Sequence, residues 1–141
     1  MKVAIIGAGS LGQSIGKGLL KNNVVSSLYL TKRNTNSIKD FNNYDEVVLT
    51  SDNTEAVINS DILIFAVQPR HFNRILESIV PHLNKDHVLI SVITGFSIAK
   101  IEAIVSEDIS IIRSMPNTAA SVAQSMTCLS PNTKGKERYS S

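Results

Sequence analysis

MKVAIIGAGSLGQSIGKG, residues Met1 to Gly18, is the stretch that decides the fold. It opens on a short apolar run, Val3-Ala4-Ile5-Ile6. Gly7, Gly9 and Gly12 follow with the spacing G-x-G-x-x-G, and Leu11, Ile15, Leu19 and Leu20 then recur at helical intervals. Strand, glycine turn and helix therefore come in the order that a dinucleotide pyrophosphate site needs. Gly7 allows a sharp turn off the strand, Gly9 lets a phosphate approach the main chain, and Gly12 lets the helix lie close on the strand. The candidate pyrophosphate turn comprises Gly7, Gly9 and Gly12, with the helix N-terminus offering free N–H groups and a partial positive charge. A glycine-rich strand-to-helix turn that binds nothing would carry the same letters.

Outward from this opening, apolar runs rich in Ile, Val and Leu recur at Val3–Ile6, Leu28–Leu30, Val47–Leu49, Ile62–Val67, Val88–Ile93 and Ile109–Ile112. They do not alternate cleanly with polar residues, which is how strands buried on both faces of a parallel sheet read. Helical patterns fit between most of them: Ser10 to Asn22 with Ser10 as cap, Asn53 to Ile58 with Asn53 as cap, Pro69 to Val80, and Ser97 to Val105 with Ser97 as cap. The alternation predicts an α/β fold, a Rossmann-type doubly wound and mainly parallel sheet in a single domain. That NADP-binding domain is expected over residues 1–130, with 131–141 a polar tail or truncated linker. Thr31 to Asp45 is polar and predicts one short helix near Ser37–Phe41. Val122–Leu129 reads as one more strand.

Composition narrows the function. The 141 residues are 43% apolar and 18% charged, with a net charge of +2. That suits one globular domain and argues for no nucleic-acid partner, because no basic stripe is present. The apolar runs fall far short of the ~20 residues of a membrane span, so no membrane partner is expected. Cys128 is the single cysteine. It excludes an intrachain disulfide and makes a reducing cytoplasm the expected location. His71, His82 and His87 have no metal-ligand spacing. His71 reads as a helix-surface residue with a view of the cofactor as the rival reading, His82 and His87 read as solvated, and Cys128 as a buried inert thiol.

An NAD-selective site places Asp or Glu at the end of the second strand, about 20 residues past the glycines. Here Leu28-Tyr29-Leu30 runs into Thr31-Lys32-Arg33-Asn34, and no acid appears before Asp40. A hydroxyl with Lys and Arg suits a 2′-phosphate, which Arg can grip with two parallel N–H groups. NADP(H) is therefore favoured over NAD(H). The rival reading leaves Lys32 and Arg33 as a solvated loop pair.

Three later segments go further: Phe65-Ala66-Val67-Gln68-Pro69-Arg70, Ile90-Ser91-Val92-Ile93-Thr94-Gly95-Phe96-Ser97 and Ile112-Arg113-Ser114-Met115-Pro116-Asn117-Thr118. Ligands in such sheets bind beyond the carboxyl ends of strands. Ala66, Val67, Gln68 and Pro69 follow the fourth run, Thr94 and Gly95 the fifth and Asn117 the sixth. Asn117 can donate and accept at once, which suits an amide-bearing ring.

With the opening, these segments resemble the N-terminal half of pyrroline-5-carboxylate reductase, over Val3 to about Asn132. The resemblance implies hydride transfer from NADPH or NADH to a cyclic imine, giving L-proline. It implies Ile6 to Leu11 at the pyrophosphate, Thr31 to Arg33 at the 2′-phosphate and Asn53 beside the adenosine. Ala66 to Pro69 with Thr94 and Gly95 would then lie near the nicotinamide half. The partner is a small-molecule substrate, pyrroline-5-carboxylate, and the family forms homo-oligomers. Its second, helical domain supplies most of the imine pocket and is absent here, so the chain reads as a fragment or a truncated homologue with no catalytic side chain to name. Three departures stand out: Gln68 replaces a lysine, Ala119 a proline and Ser125 a glycine. Rival readings are a nucleotide-binding module without activity and another Rossmann reductase, of the hydroxyacid or deazaflavin type. The Met115-Pro116-Asn117-Thr118 block argues against that last one.

Overall fold

The computed structural model describes residues 1–106, 108–115 and 118–127. All six predicted strands form: β1 (Lys2–Ile6), β2 (Ser27–Thr31), β3 (Val47–Thr50), β4 (Ile62–Phe65), β5 (Val88–Ser91) and β6 (Ser110–Arg113). They make one sheet in the order β3-β2-β1-β4-β5-β6, and each neighbouring pair is parallel. The order reverses beside β1, where β2 leaves to one side and β4 to the other. That is the switch point at which doubly wound sheets open a crevice.

Among the described residues, five α-helices flank the sheet: α1 (Ser10–Lys21), α2 (Asn53–Ile58), α3 (Pro69–Ile79), α4 (Ile98–Val105) and α5 (Ala119–Thr127). Both sheet faces are covered, which explains the unbroken apolar runs. Val3 and Ile5 of β1 pack with Ile15 and Leu19 of α1 and with Val122 and Met126 of α5. Ala4 and Ile6, on the opposite face, pack with Ala56 and Val57 of α2 and Phe72, Leu76 and Ile79 of α3. Each of those buried Val, Leu, Ile, Phe and Met side chains contributes about 1.5–3 kcal/mol.

Local chemistry moves several predicted boundaries. Ser10 is the first helical residue of α1, and Gly9 is its cap. Asp52, not Asn53, caps α2, its carboxylate accepting from the amides of Thr54 and Glu55. Ser97 caps α4 as expected, accepting from Lys100 N at 3.2 Å. The polar stretch after β2 holds a kinked 3₁₀ helix over Thr35–Asn43, which tucks Ile38 and Phe41 under the sheet.

Two expectations are corrected. Val122–Leu129 is not a strand: its described part belongs to α5. Val122 and Met126 lie four residues apart, so the helix puts both on the face that packs against α1. His87 is not solvated. It is buried, its Nδ1 accepts from Asn84 N at 3.0 Å and its Nε2 lies 3.0 Å from the carbonyl of Val57. The ring thus ties the loop before β5 to the end of α2. Cys128 lies outside the described residues. No helix among them is long and apolar enough to cross a membrane.

Candidate functional site

The registers align the carboxyl ends of the central strands. Ile6 of β1 stands level with Thr31 of β2 and Phe65 of β4. The segments after these three strands therefore start side by side. They meet one face of α3 across a cleft of about 760 Å³.

Gly7, Ala8 and Gly9 line one wall of this cleft. Gly7 has φ +92°, and a Cβ on it would meet Val67 Cγ1 at 2.5 Å. The Gly7 amide donates to Thr31 Oγ1 at 3.0 Å, and the Ala8 amide donates to the Thr31 carbonyl at 2.8 Å. Thr31 is buried and serves as a brace for the corner. These two amides are thereby spoken for within the protein. The first turn of α1 is different. Gln13 is the residue whose amide reaches Gly9 O, at 2.9 Å. Ser10 and Leu11 precede it, in the turn whose amides have no intrahelical acceptor. Gly12 is buried against β1, where a Cβ would stand 2.5 Å from Gly7 O. Gly9 is unlike both: a Cβ there would have nothing within 4 Å. The protein does not need a glycine at that position for its own packing, and the space in front of it belongs to the cleft.

Lys32 and Arg33 continue from β2 along a second wall, with Ser51 and Asn53 from the segment between β3 and α2. Ala66, Val67 and Gln68 close the floor after β4. The remaining wall is the α3 face made by His71, Arg74, Ile75 and Ser78. The sequence reading did not single out Ser51, Arg74, Ile75 or Ser78. The available signal was their spacing: 71, 74, 75 and 78 form one helical stripe beside the buried stripe of Phe72, Leu76 and Ile79.

Other predicted residues stand apart. Ile6 is buried beneath the corner, and Pro69 begins α3 outside the cleft lining. Thr94 and Gly95 are exposed in the loop after β5, which ends at Ser91, and they do not line the cleft either. Asn117 lies outside the described residues.

The charge of the site has one sign. Lys32, Arg33 and Arg74 line the cleft, and no carboxylate among the described residues does. His71 sits between two guanidinium groups: Arg70 Nε donates to its Nε2 at 3.3 Å, and Arg74 Nη2 lies 3.3 Å from its Nδ1. Its pKa is lowered below 6.5, first by the loss of solvent and then by Arg70, Arg74 and, across the cleft, Arg33. The fold thus favours the neutral ring. Its contribution to stability is present above pH 6.5, and is lost as pH falls below that value and the unfolded chain takes up the proton more readily. An NMR titration of the His71 ring is expected to show a midpoint below 6.5. A midpoint at or above it would contradict this electrostatic environment. No group of three or more His, Cys, Asp or Glu able to hold a metal occurs among the described residues.

Comparison with known proteins fits this geometry. Residues 2–95 match the family described as NADP oxidoreductase, coenzyme F420-dependent. Pyrroline-5-carboxylate reductase 1 of Dictyostelium discoideum is 40% identical over 129 residues, which cover 90% of this chain and 23% of that protein. A pyrroline-5-carboxylate reductase structure from Coxiella burnetii superposes with a TM-score of 0.74 at 29% identity, covering 86% of this chain and 46% of the other. The Plasmodium falciparum pyrroline carboxylate reductase with NADP bound gives 0.71 at 26% identity, covering 86% and 44%. The chain spans less than half the length of each of these relatives.

Proposed function

We infer, for a chain that belongs to the family of NADP oxidoreductases described as coenzyme F420-dependent, that it is the cofactor-binding part of a pyrroline-5-carboxylate reductase. The reaction is the reduction of 1-pyrroline-5-carboxylate to L-proline with NADPH favoured over NADH. The likeness to reductases of that name over 90% of the chain supports the reading. The observation that carries it is the open space before Gly9 beside the first turn of α1, within a cleft whose charged side chains are all cationic.

Bound there, the nucleotide would supply a hydride from its nicotinamide ring. The first-turn amides of α1 would hold the diphosphate. Asn53 would face the adenosine half, and Arg33 with Lys32 the ribose 2′-phosphate. Ala66 to Gln68 would carry the chain of contacts toward the redox end, with Pro69, Thr94 and Gly95 on the same sheet edge. The residues that touch the imine belong to the part of the family protein that this chain does not match. The whole enzyme would be a cytoplasmic homo-oligomer acting on a small molecule. A second reading, reduction of a deazaflavin, is favoured by the family's description.

The test is titration calorimetry on the chain with NADPH and NADH. Arg33→Ala is expected to weaken NADPH about tenfold, the scale of one hydrogen bond to a charged group, and NADH hardly at all. Equal weakening of both would remove the 2′-phosphate assignment. Binding of neither nucleotide at millimolar levels would overturn the function. NADPH oxidation dependent on pyrroline-5-carboxylate, rather than on an oxidised deazaflavin, separates the two readings.

A further inference from the structure

We propose that Arg74, with His71 beside it, forms a second jaw of the 2′-phosphate site and helps to set the preference for NADP over NAD. This rests on the nucleotide reading above and extends it to a helix that carries no dinucleotide fingerprint.

The jaws come from distant parts of the chain. Lys32 and Arg33 follow β2, whereas His71 and Arg74 project from α3, and all four line one cleft. Arg33 is close enough to act on the His71 ring electrostatically, so the two walls face each other. On α3, Arg70 and Arg74 are like charges one turn apart, both within 3.3 Å of the same imidazole. Like charges at that spacing destabilise a helix. No carboxylate among the described residues lines the cleft to offset this charge. A doubly charged anion between the jaws would relieve it. The diphosphate is drawn to the first turn of α1, on the Gly9 side. The anion left for the α3 jaw is therefore the 2′-phosphate, which Arg74 can grip with two N–H groups.

The rival role for this face is a wall for the adenine ring, with Ile75 as its apolar part. That role would serve both nucleotides equally, so the two are separable by experiment. Kd values for NADPH and NADH are measured on the unaltered chain, Arg33→Ala, Arg74→Ala and Arg74→Lys. Arg74→Ala is expected to weaken NADPH about tenfold or more and NADH by less than about twofold, with Arg74→Lys recovering part of the loss. The His71 titration gives a second readout. NADPH should raise its midpoint by offsetting Arg33, Arg70 and Arg74 (Lys32 is the remaining cation of the cleft), and NADH should leave it in place. If Arg33→Ala is selective but Arg74→Ala weakens both nucleotides alike, or neither, the second jaw is refuted and the nucleotide reading stands. If the unaltered chain binds neither, both fall together.

Discussion

Gly9→Val is expected to abolish measurable binding of both nicotinamide nucleotides while the protein stays folded. The backbone at Gly9 has φ −78° and ψ −160°, an extended conformation that valine adopts freely. A Cβ at this position meets no protein atom within 4 Å. The cost to folding is therefore that of a poorer helix cap, about 1 kcal/mol. The new methyl groups instead occupy the space through which a diphosphate must reach the first-turn amides of α1. Forcing side-chain atoms into a filled space costs about 3 kcal/mol, which corresponds to about a hundredfold in Kd or more. Calorimetry and a thermal melt on the same sample check both halves. Retained affinity in a folded Gly9→Val protein would mean that the ligand approaches elsewhere.

Three residues on, the opposite outcome is expected. Gly12→Ala should destabilise the fold by about 3 kcal/mol, lowering Tm by about 10 °C, before any ligand is considered. A Cβ there would stand 2.5 Å from Gly7 O and 3.2 Å from Ile5 Cγ2. The first obstacle is main chain and cannot rotate away. It is also held, because the Gly7 amide is bonded to Thr31. Helix and strand would have to separate at the centre of the sheet. An unchanged melting temperature would show that α1 can shift on β1 at no cost.

Much of this architecture was legible because a buried parallel sheet leaves a simple trace. Each run from Val3–Ile6 to Ile109–Ile112 is short, aliphatic and non-alternating, and both faces of the central strands β1, β4 and β5 meet helices. Pro69 and the stripe of Phe72, Ile75, Leu76 and Ile79 marked α3 as clearly, although Ile75 lies at the stripe's edge and also lines the cleft. The end of the chain was misread because Val122 to Met126 is short and partly β-branched, and what makes it helical is the stripe on α1 that receives it. His87 looked solvated for a similar reason. Asn84 lies three residues back in the same loop, but Val57, thirty residues away, is brought to the ring by the fold. The glycine corner and the Lys32-Arg33 pair were visible as local spacing. The cationic face of α3 was not, because only the sheet brings Arg74 and Arg33 to line one cleft.

Thr31 carries a consequence for any attempt to exchange one coenzyme for the other. The segment that would have to be rewritten to accept a ribose without its phosphate begins at the residue that anchors the glycine corner, through both its hydroxyl and its carbonyl. With the nucleotide seated as proposed, selectivity and grip are not independent modules in this protein. An acidic graft that replaces Thr31 along with Lys32 and Arg33 would slacken the hold on the diphosphate as well, whereas one that leaves the threonine in place would alter preference alone.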